Sequence, residues 1–106
     1  MKSKKAILIN VEERTLTYVN VGHYSDIYKH IGNDCDTFEC PVSFFNNDTI
    51  YCDGEGSLKD FKGGFMMDNW RYAIIGNGLI LGTDNEGDSV DCLTTIEDIK
   101  SKIQFV

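Results

Sequence analysis

The sequence predicts an α+β fold: a small, mostly antiparallel sheet, a short helix after the first hairpin and an amphipathic helix at the C-terminus. Three observations predict it. Short β-branched or alternating segments recur along the chain, separated by Gly-, Asn- and Asp-rich turns. Helical spacing with a start signal occurs only near residues 25–31 and after Thr94. The chain has 106 residues, 42% of them hydrophobic and 25% charged, which suits one domain over 1–106 with a modest core.

Lys5-Ala6-Ile7-Leu8-Ile9 reads as the first strand, Val11-Glu12-Glu13-Arg14 as a turn, and Thr15–Val21 as the returning strand of a hairpin. Ser25 is a candidate N-cap, Asp26 suits a first helical turn, Ile27 and Ile31 share a face, and Gly32 stops the helix. Thr37–Phe45 reads as a strand. Pro41 has no backbone donor, so it calls for an edge position or a bulge. Asn46-Asn47-Asp48 is turn chemistry, and Thr49–Cys52 returns. Gly54, Gly56, Gly63 and Gly64 punctuate a loop-rich middle, with short strands at Phe65–Met67 and Tyr72–Ile75. Leu79-Ile80-Leu81, bounded by Gly78 and Gly82, is the clearest buried strand. Asp84–Gly87 turns the chain, and Ser89–Cys92 continues the strand pattern. Thr94 and Glu97 stand at capping-box spacing before Ile96, Ile99 and Ile103, the apolar side of the terminal helix. Ile7, Ile9, Leu79, Leu81, Ile96 and Ile99 are the expected core.

Composition excludes several classes. No apolar run approaches the length of a membrane span. The basic Met1–Lys5 is followed by too short an apolar stretch for a secretory signal, so a cytoplasmic protein is expected. The net charge of −7 argues against direct DNA binding, which needs an excess of Lys and Arg. Without a secretory context, Cys35, Cys40, Cys52 and Cys92 are read as reduced thiols. Cys35 and Cys40 are close in sequence, but Cys52 and Cys92 lack cysteine neighbours and His23 and His30 lack ligand spacing, so no metal is expected.

The segment Gly76-Asn77-Gly78-Leu79-Ile80-Leu81-Gly82-Thr83-Asp84-Asn85-Glu86-Gly87, the Thr-rich lead into a terminal helix and the opening Lys5–Ile9 strand together resemble a family of small domains of unknown function. That family occurs in bacteriophages and other bacterial mobile elements. The resemblance covers the two ends of the chain and supplies no catalytic residues. It implies a phage accessory gene, a class rich in inhibitors of host defence, acting in the cytoplasm of an infected bacterium. Read as bare chemistry, the same segment is a turn. Gly82 allows a bulge or close backbone approach, and Asp84 and Asn85 bond to local backbone.

No constellation for catalysis is complete. Counted as an EF-hand from Asp84, the loop places Ser89 where Gly belongs and Thr95 where Glu belongs. The Gly76-x-Gly78 and Gly82 glycines lack the lysine of a phosphate loop. Neither His nor Cys has a nucleophile motif around it. The protein is therefore expected to be a binder without a cofactor, not an enzyme.

Charge patterning is more informative. No Lys or Arg occurs over 30–58 or over 72–99, and each stretch holds six acids. Between them lie Lys59, Phe61, Lys62, Gly63, Gly64, Phe65, Trp70, Arg71 and Tyr72. Cations beside stacking aromatics suit a nucleotide, so Trp70, Arg71, Lys59 and Lys62 are the candidate ligand-binding residues, with Tyr24 and Tyr28 next. The competing reading puts the aromatics in the core and the cations on ordinary surface. Two functions follow, the first favoured by this aromatic and basic window and the second its alternative. One is sequestration of a nucleotide immune signal by a homo-oligomer, whose subunit interfaces would enclose what one small chain cannot. The other is an acidic inhibitor covering the basic surface of a host nuclease or other defence protein.

Overall fold

The computed structural model describes residues 3–32, 38–43, 48–53, 63–68, 73–86 and 88–106, with backbone alone for Tyr24 and residues 38–43. Among the described residues the chain forms β1 (Lys4–Asn10), β2 (Thr15–Val21), α1 (Tyr24–Ile31), β3 (Phe38–Ser43), β4 (Asp48–Asp53) and β5 (Gly64–Met67). There follow β6 (Ile74–Ile75), β7 (Gly78–Thr83), β8 (Ser89–Val90), α2 (Ile96–Lys100) and β9 (Ile103–Phe105). The α+β class and the antiparallel pairing match expectation.

The larger sheet runs β2-β1-β7-β4-β3, with β8 added along β7. Each of these pairings is antiparallel. A smaller sheet runs β6-β5-β9. The strand alternation builds three layers. One face of the larger sheet turns Ile7, Ile9, Ile50 and Ile80 toward Phe65 and Met67 of the smaller sheet and Ile99 of α2. The other turns Ala6, Leu79 and Leu81 toward Ile27 and Ile31 of α1. β7 is covered on both faces, which is why it reads as an unbroken apolar run rather than an alternation.

Most of the local signals hold. The β1–β2 register is one-to-one from Lys4↔Val21 to Asn10↔Thr15. The β3–β4 register shifts between Glu39 and Val42, so Pro41 sits both on an edge strand and at an irregularity. α1 begins one residue before the expected cap. His23 is its N-cap, accepting from Ser25 N–H, and Asp26 closes a capping box. Gly32 ends the helix at φ 74°, a conformation that favours glycine.

The C-terminus differs from expectation. α2 spans only Ile96–Lys100, and Ile103 lies on β9, paired with Met67 of β5. Ile99 is fully buried and Ile96 partly so, and the remaining core expectations hold at Ile7, Ile9, Leu79 and Leu81. The helix cap is Thr95, whose hydroxyl accepts from Asp98 N–H, and not Thr94. Asp48 is not in a turn: it is the first residue of β4 and fully buried. Among the described residues no helix is long and apolar enough to cross a membrane.

Candidate functional site

A recess lies where β7 hands over to β8. β7 ends at Thr83, and the chain turns on Asp84, whose Oδ1 accepts from the backbone N–H of Glu86 and of Asp88, each at 2.9 Å. Asp84 N–H in turn donates to the Asp88 carbonyl at 2.9 Å, closing the turn into β8. β8 then passes so close to β7 that a Cβ at Gly82 would stand 2.6 Å from the Asp91 carbonyl oxygen. Glycine is required there for close approach.

Past β8 the chain is tied down twice. Asp91 Oδ1 accepts from Lys5 N–H at 2.8 Å, and Cys92 N–H donates to the Lys5 carbonyl at 2.9 Å. Asp48, reaching from β4, then receives Leu93 N–H at 3.1 Å, Thr94 N–H at 2.7 Å and the Thr94 hydroxyl. A buried carboxylate is tolerable when several donors replace its lost water. Asp48 is the clamp that fixes residues 92–94 against the sheet.

Beside this clamp is a cavity of about 270 Å³ whose lining includes Asp48, Gly82, Asp84, Val90, Asp91 and Leu93. Leu93 is 71% exposed, the most exposed large apolar side chain among the described residues. Asp84, Glu86, Asp88, Asp91, Glu97 and Asp98 are all exposed. Among the described residues the ion pair is Lys29–Asp26 at 3.8 Å, so none of those six carboxylates is neutralised by a cation. The recess brings the apolar Val90 and Leu93 together with the acids Asp48, Asp84 and Asp91.

Cys92 lies between two of the lining residues, Asp91 and Leu93. Burial first, and the Asp48 carboxylate second, push the Cys92 thiol upward, so it stays protonated at neutral pH. Its Sγ faces the Thr94 carbonyl at 3.7 Å. Cys52 and Cys92 are both buried, free thiols. Among the described residues no three His, Cys, Asp or Glu side chains are grouped to hold a metal ion.

The sequence-derived candidates distribute differently. Lys59, Lys62, Trp70 and Arg71 lie outside the described residues. Tyr24 is the first residue of α1, and Tyr28 is half-buried one turn later. From the same window, Phe65 is fully buried in the core between the sheets. The Gly64 amide donates to the Val106 carbonyl at 3.4 Å, so it is engaged in strand pairing and not open to an anion. Asp48 and Leu93 were not singled out from sequence. A buried acid and a turn acid look alike in a string of residues, and one leucine between Cys92 and Thr94 carries no periodic signal.

No protein-family model, no curated protein and no solved structure matches this chain.

Proposed function

We propose that the protein is a non-enzymatic accessory protein that binds a basic partner, and that the partner is a host defence protein such as a nuclease. The observation that carries this reading is the recess lined by Asp84, Val90, Asp91 and the exposed Leu93, in a stretch of chain, 84–98, whose acids are exposed and which holds no Lys or Arg. Aliphatic anchors ringed by complementary charge are the general anatomy of a protein-binding patch. The phage and mobile-element setting comes from the resemblance of residues 76–87 and the chain ends.

The test is titration of the full chain against bacterial nucleases with basic DNA clefts, with and without DNA as competitor. Expected are tight binding that weakens with salt, displacement by DNA, and slower association for Glu86→Lys and Asp88→Lys. Leu93→Ala should raise Kd about tenfold.

A second reading is favoured by one sequence observation, the Lys59–Tyr72 window of cations and aromatics. In it the protein sequesters a signalling nucleotide, with Trp70 stacking on a base and Arg71 holding phosphate. A melting-temperature rise with cyclic di- or trinucleotides that is lost in Trp70→Ala, alongside no nuclease binding, would decide for it.

A further inference from the structure

We propose that the outer edge of β2 pairs antiparallel with β2 of a second copy, joining two larger sheets across a two-fold axis at Tyr18. The two edges of this sheet are built differently. β3, at one end, carries Glu39, Pro41 and a register shift. A charge, a proline and an irregularity are standard obstacles to edge pairing. β2, at the other end, has none of them. Its sequence, Thr-Leu-Thr-Tyr-Val-Asn-Val, holds no charge and no proline, and its register on β1 is unbroken.

The backbone direction along β2 follows from β1. Lys5 turns both its N–H and its C=O toward the chain just past β8, where they meet the Asp91 side chain and the Cys92 N–H. Backbone groups alternate sides along a strand, so Lys4, Ala6, Leu8 and Asn10 face β2. Their partners are Val21, Val19, Thr17 and Thr15. Leu16, Tyr18 and Asn20 therefore point their N–H and C=O outward. An independent contact agrees: His30 Nε2 reaches the Asn20 carbonyl from outside, at 3.1 Å. Among the described residues the remaining outward groups of these three have no hydrogen-bond partner.

A second copy fits this row better than an arbitrary strand. The three outward residues are centred on Tyr18. A two-fold axis there sets Tyr18 opposite its own equivalent and Leu16 opposite Asn20 of the second copy. Each outward N–H and C=O of both strands then gains a partner, and the Asn20 oxygen keeps a lone pair for His30. The Tyr18 hydroxyl accepts from Ile96 N–H at 3.2 Å and the Lys5 ammonium stands 5.1 Å from its ring centroid, and the side chain, still 46% exposed, has surface left to lose to its equivalent. Two chains of net charge −7 repel each other, and an uncharged strand is where they can meet without opposing carboxylates. The dimer holds whichever reading of the partner is right, because β2 contributes none of the acids over 84–98.

Sedimentation velocity on the full chain should show a concentration-dependent species at twice the 12.0 kDa chain mass. Asn20→Pro removes only an outward donor and leaves the β1 ladder whole, and should raise the dimer dissociation constant about tenfold. Tyr18→Lys and Tyr18→Glu should each sediment as monomers, and their equimolar mixture should recover the dimer. In the unmodified protein, amide exchange at Leu16, Tyr18 and Asn20 should slow as concentration rises, while Thr17 and Val19 stay protected throughout. A chain that stays monomeric at submillimolar concentration would overturn the proposal. So would a dimer whose Leu16, Tyr18 and Asn20 amides exchange as open groups.

Discussion

Asp48 shows how much one side chain can hold in place. Its carboxylate is the shared acceptor for Leu93 N–H, which is part-buried, and for Thr94 N–H and the Thr94 hydroxyl, which are buried. Asp48→Ala strands those donors without water, so urea unfolding should show a loss of about 3 kcal/mol. Residues 92–94 should lose amide protection before the rest of the sheet. Asp26 works at the surface and by charge. Backbone N–H groups of Gly22 and then His23 donate to its carboxylate and hold its pKa below the ordinary 3.8. A depressed folded pKa gives stability that is present above the unfolded value and lost as pH falls through the folded one. The stability difference between the unmodified protein and Asp26→Asn should therefore be full at neutral pH and vanish in strong acid. Neither role is written in the sequence to the same degree. Asp26 follows a cap candidate at helix-start spacing, whereas Asp48 follows two asparagines and imitates a turn.

At the scale of elements, what was legible is what local rules decide. The β1–β2 hairpin, α1, Pro41 on an irregular edge and the β7 run each announce themselves through neighbours in sequence. The end of the chain does not. Ile96, Ile99 and Ile103 fit a helix face, yet β5 offers an open edge, and Ile103–Phe105 pairs with it instead of extending α2. That choice depends on residues far off in sequence, which spacing cannot report. The acidic face was legible as composition, but the recess depends on Asp48 and Gly82 meeting residues 91–94 through the fold. Contact between the two sheets gives a sharp test. A Cβ on Gly78 would lie 2.7 Å from Phe65 Cζ, and Phe65 is fully buried. Gly78→Ala should cost about 1–3 kcal/mol by overpacking. Phe65→Leu alone should also destabilise, by about 1–2 kcal/mol. Combined, the two should cost less than their sum, because the smaller side chain relieves the clash, and a double-mutant cycle reads that coupling directly.

For the whole molecule the governing quantity is a net charge of −7, with the acids over 84–98 unpaired among the described residues. Self-repulsion of this kind destabilises the compact state, and salt screens it. The melting temperature should therefore rise with sodium chloride. The same screening should act in opposite directions on the two proposed associations. Pairing through uncharged β2 brings two acidic chains together, so salt should strengthen the dimer. Docking of a basic partner on the 84–98 face is driven by attraction, so salt should weaken it, chiefly through the association rate. Sedimentation and binding kinetics measured over about 0.05–0.5 M salt would separate the two, since the screening length falls severalfold across that range. A dimer that dissociates as salt rises would mean that charged residues hold it, and β2, which has none, would not be its interface.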